Sequence, residues 1–408
     1  MEHQTFSEEI ILEGHIIDSL ILPRVFDTIM DLGGNFKVEE IRVGRHKLET
    51  SFARMKVFAP DEALLHRIVA ALQGYGAEWV SGQDVHTEPA PADGALPDGF
   101  YSTTNLPTQV RLNGHWVDVE EIEMDLAVVV DGEARRAACV PMADVRAGQE
   151  VAVGHQGIRV IPMERARERQ VFTFMGSRIS SERPKRLVIA GIAREMREVR
   201  ARGGKILFVA GPAIVHSGAG PYLARLIRAG YVQALFGGNA IAVHDVESVL
   251  FGTSLGVDLS NGTLIEEGHK NHMRAINAIR RVGSLERAVE TGLLRSGIMY
   301  ECIVHRVPMA LAGSIRDDGP MPGVITDVIE AQRWMRELIK GVELAIMVAT
   351  MLHSIATGNL LPAHVKVVAV DINPAVVTKL ADRGTFQAVG LVTDAELFLR
   401  ELVGELGG

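Results

Sequence analysis

The chain has 408 residues, of which 47% are hydrophobic and 23% are charged, and its formal net charge is −9. This length predicts two or three domains. The acidic balance argues against nucleic acid and membrane surfaces as partners, because both are anionic. Two cysteines, Cys139 and Cys302, are too few for the disulfide framework of a small secreted domain. The polar start MEHQTFSEEI is unlike a signal peptide, so we expect a cytoplasmic protein.

Strand and helix signals alternate over residues 1–95. Alternation and apolar character predict four strands, at 9–17, 36–43, 51–58 and 78–80. Helical spacing predicts one helix over 22–32 and a second that is capped by Asp61 and runs to about Leu72. The order strand-helix-strand-strand-helix-strand is typical of a ferredoxin-like α+β module.

A proline- and glycine-rich run, EPAPADGALPDG, then marks a linker. Short strands between turns follow it, at 109–112, 116–119, 126–130, 137–141, 150–153 and 158–162. Together with the charged connector after them, they predict a small β-rich middle unit over residues 96–183.

Long apolar runs alternate with helical segments over residues 184–408. The runs are KILFVAG, VQALFGGNAIAV, VPMALAGS, HVKVVAVD and FQAVGLV. Such runs lack period-two alternation, which indicates strands buried on both faces of a parallel sheet with helices around it. The stretch Val342 to Ala356 is interpreted as a buried helix, since it is too short to span a bilayer.

Glycine turns in this C-terminal region suggest a nucleotide site. Gly211, Gly218 and Gly220 follow the run KILFVA and precede an amphipathic helix, where free N–H groups can meet an anion. The spacing is not G-x-G-x-x-G, so a packed turn explains these glycines about as well. Asn239 and Ala240 follow the pair GG after another apolar run; the amide either bonds a ligand or closes a turn.

Acidic residues follow two of the apolar runs. Asp371 ends the run VKVVAV, a position where an acid often holds a nucleotide ribose; the alternative is a helix cap. Asp394 and Ala395 repeat the arrangement after FQAVGLVT. The loop RDDGPMPG brings together an arginine and two acids, either as functional groups at a strand end or as a solvated turn. The charged residues of this loop are Arg316, Asp317 and Asp318.

Several familiar motifs are absent from the sequence. It has no Walker A loop, no HExxH, no paired CxxC and no G-x-S-x-G. Cys302 and His305 are three residues apart but lack further ligands, so no metal site is expected and Cys302 is interpreted as a buried small apolar residue. His353 lies in an apolar segment, where a histidine is more often part of the core than a ligand.

These motifs together resemble a known family over essentially the whole chain. The run SEEIILEGHIIDSLILPRVFDTI, with NFKVEEIRVG after it, resembles the conserved region of lysine-oxoglutarate reductase/saccharopine dehydrogenase. The motifs TTNLPTQV, GPAIVHSGAGP, GGNAIAVHD, RDDGPMPG, TMLHS and VDINP are similar to those of archaeal and cyanobacterial-type ornithine cyclodeaminases. Some cyanobacterial members carry an additional arginine dihydrolase domain; this chain starts at the shared region and is expected to lack that activity.

The residue patterns predict an α/β fold with three parts: a ferredoxin-like module (1–95), a β-rich unit and connector (96–183), and an α/β domain (184–408). The resemblance implies that the last part is a Rossmann-like, deoxyhypusine-synthase-like NAD-binding domain. It also implies cofactor contacts, motif by motif. In this sequence they are Asn239, Ala240, Asp318, Thr350, Met351, Leu352, His353, Asp371, Asp394 and Ala395. The resemblance does not supply catalytic residues.

The functional hypothesis is an ornithine cyclodeaminase that converts L-ornithine to L-proline and ammonia, with NAD restored in each turnover. Loop position alone suggests Asp317 as acid/base, His216 as a second proton carrier and Arg316 as the partner of the substrate carboxylate. A saccharopine-type amino-acid dehydrogenase and a non-catalytic sensor of amino acid and NAD are the alternatives. A homo-oligomer, either dimer or tetramer, is expected.

Overall fold

A computed structural model of the chain describes residues 6–17, 19–46, 49–79, 83–162, 179–180, 185–259, 263, 268–315, 317, 319–383 and 388–407. The chain divides into two compact units, residues 1–173 and residues 174–408. Within the described ranges, the helices are all too short or too polar to cross a bilayer. The charged connector predicted after residue 162 lies outside the described residues.

The N-terminal unit begins with an antiparallel sheet packed against two helices. Its elements are β1 (Phe6–Gly14), α1 (Ile21–Asp31), β2 (Asn35–Arg42), β3 (Ser51–Ala59), α2 (Glu62–Gln73) and β4 (Glu78–Trp79). The strand order β2-β3-β1-β4 is that of a ferredoxin-like fold, as the sequence predicted. Alternate residues of β3 are buried, and the Asp61 carboxylate accepts the backbone N–H of Leu64 at 2.7 Å, as expected of a cap.

A second sheet completes the N-terminal unit. Its strands are β5 (Thr87–Pro89), β6 (Thr108–Leu112), β7 (His115–Glu120), β8 (Ala127–Asp131), β9 (Arg136–Val140), β10 (Glu150–Ala152) and β11 (Ile158–Val160). Six of them were predicted. Strand β5 was missed because it runs into the proline-rich segment, and it is a three-residue edge strand paired with β10. Gln73 of α2 ties the two parts together by donating to the carbonyls of His155 and Ile158.

The C-terminal unit is a parallel sheet surrounded by helices. Its strands are β12 (Ile179–Ser180), β13 (Lys205–Ala210), β14 (Ala234–Gly238), β15 (Thr253–Ser254), β16 (Val257–Asp258), β17 (Met309–Ala312), β18 (Val342–Val348), β19 (Lys366–Asp371) and β20 (Ala388–Val392). Its helices are α3 (Lys185–Ala201), α4 (Ala213–His216), α5 (Gly220–Arg228), α6 (Asn239–Phe251), α7 (Asn271–Val282), α8 (Leu285–Glu290), α9 (Ile298–Val304), α10 (Val328–Ile339), α11 (Leu352–Leu360), α12 (Pro374–Arg383) and α13 (Ala395–Glu405).

Seven strands form the large sheet, in the order β12-β20-β19-β18-β13-β14-β17, while β15 and β16 pair separately. Every neighbouring pair in the large sheet is parallel. Counted from β13, six of the strands follow the 3-2-1-4-5-6 order of a doubly wound Rossmann sheet. The α/β fold class is therefore confirmed. Because the order reverses between β13 and β18, a crevice is expected at the carboxyl ends of these two strands.

One predicted element was wrong. Val342 to Ala356 was interpreted as a single buried helix, but Val342–Val348 is the central strand β18 and the helix begins only at Leu352. All but one residue of β18 are buried, so its apolar run carries no periodicity that separates a strand from a helix. The three domain ranges, 1–95, 96–183 and 184–408, stay a prediction.

Candidate active site at the sheet reversal

The backbone is tightly packed where the strand order reverses. Gly211 follows β13 and Ala349 follows β18, and the Gly211 N–H donates to the carbonyl of Val348 at 2.9 Å. A Cβ atom at position 211 would overlap the carbonyl oxygen of Ala349. Ala349 has φ +55°, in the left-handed region that non-glycine residues rarely adopt. Such strained positions concentrate at functional sites.

A cavity of about 700 Å³ opens on this edge of the sheet. Its floor comes from residues at the ends of β13, β14 and β17 and from the helices α4 and α6 that follow the first two. Helix α7 forms another wall. The polar side chains around it are His216, Asn239, His244, His272, Asn277, Arg280, Ser314, Asp317 and His353. This size and the mixture of apolar wall and convergent polar groups are typical of a small-molecule site.

Two imidazoles meet in the cavity wall. His216, the last residue of α4, and His244 of α6 are in edge-to-face contact with 4.6 Å between ring centroids. His216 Nδ1 lies 2.6 Å from the Ser254 hydroxyl. His244 Nδ1 lies 2.8 Å from a carboxylate oxygen of Glu247, one helical turn further along α6. The two rings therefore have different partners, one a hydroxyl and the other a carboxylate.

Glu247 is completely buried and held from both sides. Its second oxygen accepts the Thr253 hydroxyl at 2.9 Å, and the Thr253 oxygen in turn accepts the Asn271 amide at 3.1 Å. Burial alone raises the pKa of Glu247, but the hydrogen bonds from His244 and Thr253 outweigh it and the pKa is lowered. The carboxylate is thus kept ionised behind His244.

Burial acts in the opposite direction on the histidines. It lowers the pKa of His216 to about 4, and the neighbouring His244 adds to the effect. Burial also lowers the pKa of His353, which is half-buried and whose ring lies against Gly238. Both rings are therefore neutral at physiological pH.

Asn239 fixes the loop that follows β17 through two hydrogen bonds. Its amide Nδ2 donates to Asp317 Oδ1 at 3.0 Å, and its Oδ1 accepts the backbone N–H of Met321 at 3.0 Å. The other oxygen of Asp317 accepts the backbone N–H of Ser314 at 2.8 Å. Asn239 is only 8% exposed, and this arrangement closes one side of the cavity with a fixed turn.

The candidate residues from the sequence fall into two groups. Asn239, Ala240, His216, Asp317 and His353 line the cavity. A second group lies outside that lining, at the carboxyl ends of β18, β19 and β20, and consists of Thr350, Met351, Leu352, Asp371, Asp394 and Ala395. Both groups lie along the same edge of one sheet. Apart from His353 on α11, the first group lies on the β13 side of the reversal and the second on the β18 side.

The two acids of the second group, Asp371 and Asp394, also form hydrogen bonds with the local backbone. Asp371 ends β19, and its Oδ1 accepts the backbone N–H of Asn373 at 2.8 Å. Asp394 caps α13 by accepting the backbone N–H groups of Glu396 and Leu397. The Asp371 bond forms a turn before α12, whereas the side chain that accepts an N–H group of the first turn of α12 is that of Asn373. Asp371 and Asp394 each engage a single oxygen in these bonds, so a ligand contact is geometrically compatible at both.

Arg316 and Asp318 lie outside the described residues. Cys302 is completely buried in α9, and burial raises its pKa well above the usual range, which agrees with the interpretation as a small apolar residue. Across the described residues, His, Cys, Asp and Glu side chains form no group able to hold a metal ion.

The sequence analysis missed His244 and Glu247. A signal was present, since the two are three residues apart in GGNAIAVHDVES and hence share one face of a helix. The contact between His244 and His216 had no signal, because 28 positions of chain separate them and only the fold joins them. Arg280 and His272, both on α7, were missed for the same reason.

The helix N-termini of the described residues are of two kinds, with and without a side-chain cap. Helices α2, α8, α10 and α13 each begin with an Asp or Ser side chain that accepts backbone N–H groups. Helices α6 and α11 begin at Gly238 and Met351, where no described side chain caps them. Their first N–H groups remain available to an anionic ligand.

Known protein families match the chain from residue 7 to residue 402. Residues 7–106 match a family described as the LOR/SDH bifunctional enzyme conserved region. Residues 107–189 match the first C-terminal region of ArgZ-like arginine dihydrolases, and residues 190–402 match their C-terminal Rossmann fold. The ornithine cyclodeaminase of Methanopyrus kandleri is 57% identical over 98% of both chains, and that of Methanocaldococcus jannaschii is 55% identical over 98% of this chain and 96% of that protein.

The chain belongs to the family of archaeal ornithine cyclodeaminases.

Solved structures of relatives agree with this family. The cyanobacterial arginine dihydrolase ArgZ has 42% identity and a TM-score of 0.86 over 99% of this chain. AgrE, crystallised in a ternary complex with ornithine and NAD+, has 45% identity and a TM-score of 0.54. This chain spans 58% of the length of each, whereas it spans 98% of a LOR/SDH protein from Methanococcus maripaludis that has 50% identity and a TM-score of 0.75 over 80% of this chain.

Proposed function

We propose that the protein converts L-ornithine to L-proline and ammonia with NAD as a catalytic cofactor. The observation that carries this proposal is the cavity beside the reversal of a Rossmann sheet, with His216, His244 and Asp317 in its wall, in a chain 57% identical to an ornithine cyclodeaminase. AgrE, a relative with 45% identity, binds both ornithine and NAD+ in its crystal structure.

The residues present fit NAD. Gly211 and Gly238 bring backbone close to the edge of the sheet, and the uncapped N-termini of α6 and α11 offer N–H groups to a pyrophosphate. Asp371 stands at a strand end, and its Oδ2 accepts no hydrogen bond from the described residues, which leaves it for ribose hydroxyls. Its charge would repel a 2′-phosphate, so NAD is expected to bind more tightly than NADP.

The chemistry that bound NAD supplies is the removal of hydride from the α-carbon of ornithine and its return to the cyclic imine after ring closure. The chain itself must take a proton from the α-ammonium group, because only the neutral amine can assist hydride loss. It must also orient the δ-amine toward the α-carbon and return a proton to the departing ammonia. The apolar side chains of Val243 and Ile276 line part of the cavity in which these steps take place.

The roles of the catalytic candidates remain part of this proposal. His216 lies in the cavity wall, which supports a part in proton handling. Asp317 also lies there, although both of its oxygens accept hydrogen bonds from Asn239 and Ser314, which supports a role in fixing the loop. Arg316 as partner of the substrate carboxylate is proposed from the sequence alone. Arg280 of α7 is a second cation in the cavity wall.

We also propose that the protein is cytoplasmic and works as a homo-oligomer, either dimer or tetramer. Large apolar side chains near the carboxyl edge of the sheet support an interface, because Ile315, Leu352 and Ile372 are each more than 70% exposed. Light scattering of the purified chain measures the oligomeric state directly, and a monomer at micromolar concentration would contradict this part of the proposal.

The decisive experiment supplies ornithine in excess with NAD at a few equivalents per site. We expect many equivalents of proline and ammonia, with NADH absorbance never exceeding one equivalent per site. Deuterium at the α-carbon of ornithine should reappear at the α-carbon of proline, because the hydride removed from that carbon is the one that returns to it.

Two other results would each replace the proposal. If NADH accumulates in proportion to product, the enzyme is an amino-acid dehydrogenase of the saccharopine type. If ornithine and NAD bind without any product, the chain is a non-catalytic sensor.

A further inference from the structure

The two imidazoles in the cavity wall differ in the hydrogen-bond partner of Nδ1: a carboxylate for His244 and a hydroxyl for His216. The carboxylate of Glu247 is ionised and can only accept, so the 2.8 Å contact requires that His244 carries a proton on Nδ1. The lone pair of neutral His244 is then on Nε2, the ring atom that remains for a ligand. Among the described residues, the partner of His216 Nδ1 is the Ser254 hydroxyl, which can donate or accept.

The same difference decides which ring accommodates a positive charge. A protonated His244 would face the completely buried carboxylate of Glu247, itself fixed by Thr253. A protonated His216 would face a neutral hydroxyl and the edge or face of a second imidazole. Burial already holds the pKa of His216 at about 4. Of the two rings, His244 is therefore the one whose contact with an ionised carboxylate offsets a positive charge.

We propose that His244 is the group that takes the α-ammonium proton of ornithine, and that Glu247 is the positioning residue that fixes its proton on Nδ1 and stabilises its charged form. The assignment rests on the proposed ornithine reaction. The N–H bond of the α-ammonium group breaks and the proton joins Nε2 of His244. The δ-ammonium group loses two protons to solvent as its nitrogen bonds to the α-carbon. The proton on Nε2 then returns to the α-nitrogen as the bond from that nitrogen to carbon breaks, so that ammonia departs and a cyclic iminium remains. No net proton is gained or lost by the pair.

This geometry explains why a histidine pair is useful here. His216 stays neutral and remains a hydrogen-bonding group in the same wall, while His244 changes charge. The other titratable or charged groups of the cavity are His272 and Arg280 on α7, Asp317 in the loop after β17, and His353 on α11. Among the described residues, His216 is the ring-contact partner of His244 and Glu247 is its hydrogen-bond partner; none of these four groups is either.

The first test compares His244→Gln, Glu247→Gln and His216→Asn in the full chain with ornithine and NAD. His244→Gln should lower kcat by roughly 10²–10⁴-fold, the usual contribution of a general base, while NAD still binds. Glu247→Gln should lower kcat less and move the acidic limb of the kcat/KM profile to lower pH by about one unit, because a protonated His244 loses its counter-charge. His216→Asn should leave that limb in place.

Glu301→Gln is the matched control. Glu301 is another buried carboxylate beside a histidine, with an oxygen 3.1 Å from His305 Nε2, and it also bonds Arg228, but it does not line the cavity. It should reduce stability and leave the acidic limb unmoved. An Nδ1–H tautomer of His244 in ¹⁵N spectra of the wild-type chain without substrate is the expected independent sign.

Three results would overturn the assignment: full kcat in His244→Gln, an acidic limb that Glu247→Gln shifts no more than Glu301→Gln, or an Nε2–H tautomer of His244. A wild-type chain that forms no proline would instead overturn the ornithine reaction itself, and this assignment with it, so the two failures are distinguishable.

Discussion

Asn239 and Asp317 are joined by a 3.0 Å hydrogen bond from amide Nδ2 to carboxylate Oδ1, across 78 positions of chain. Because the remaining oxygens of both side chains accept backbone N–H groups of the loop after β17, the pair acts as a latch on one side of the cavity. Fixing the loop requires only the hydrogen bonds of Asp317, whereas carrying a proton requires its carboxylate, so a substitution can separate the two roles.

Asp317→Asn should therefore weaken the hydrogen bonds that fix the loop after β17. In wild type, the two carboxylate oxygens of Asp317 accept hydrogen bonds from the Asn239 amide and from the Ser314 N–H. The new side chain has one oxygen and one NH₂ group, and the NH₂ group must face one of these two donors. One hydrogen bond is therefore lost, which costs about 1 kcal/mol. We expect weaker NAD binding, measured by titration, and a kcat within about tenfold of wild type, since 1.36 kcal/mol corresponds to one decade. A kcat reduced more than a hundredfold at unchanged NAD affinity would instead establish Asp317 as the acid/base.

Asp371→Ala should weaken NAD binding by roughly 1.5–3 kcal/mol, the scale of a lost hydrogen bond to a charged group. The fold should survive, because the backbone carbonyl of Asp371 still accepts the N–H of Thr393. Titration calorimetry with NAD and NADP checks both affinity and preference. Asp61→Ala is the control, since it removes another aspartate that accepts a backbone N–H group, in the other unit. Equal NAD affinity in Asp371→Ala and wild type would show that Asp371 serves only its local turn.

Gly211→Ala should be poorly tolerated. The added methyl group would overlap the Ala349 carbonyl, which belongs to backbone held between two central strands and has little room to move. We expect a loss of about 1–3 kcal/mol in unfolding free energy, together with weaker NAD binding. Gly358→Ala on α11 is the matched control, because nothing lies within 4 Å of its Cβ position and alanine favours a helix. Similar urea midpoints for the two variants would contradict the overlap.

The depressed pKa of His216 predicts an acid sensitivity. The folded value of about 4 lies below the unfolded value of about 6.5, so the unfolded chain binds the extra proton first as pH falls. The contribution to stability is fully present above pH 6.5 and is lost as pH falls from there toward 4. His216→Asn should thus narrow the difference between urea midpoints at pH 7.5 and pH 4.5. An unchanged difference would mean that other groups, such as the half-buried His353, control it.

Local patterns predicted most of the fold. The ferredoxin-like order and the Asp61 cap followed from alternation and capping chemistry, and the buried apolar runs indicated a parallel sheet. The run from Val342 was misassigned because a strand buried on both faces has no characteristic period. The edge strand at Thr87 was hidden by prolines that an edge position tolerates.

The site was only partly predictable for a different reason. Residues that follow a strand, such as Asn239 and Asp371, were found because strand ends share one edge of a sheet. The contact of His216 with His244 depends on where α4 and α6 lie, and the participation of Arg280 depends on the placement of α7. These contacts depend on how distant segments of the chain pack, and local sequence patterns do not predict that packing.

The uncapped starts of α6 and α11 have a thermodynamic consequence. Each missing side-chain cap forgoes about 1 kcal/mol of helix stability that α2, α8, α10 and α13 retain. An anion seated on those N–H groups restores that amount only in the folded chain, so folding and binding are linked through the same atoms. The protein should therefore be measurably less resistant to heat in the absence of a dinucleotide, and free pyrophosphate should recover part of the difference.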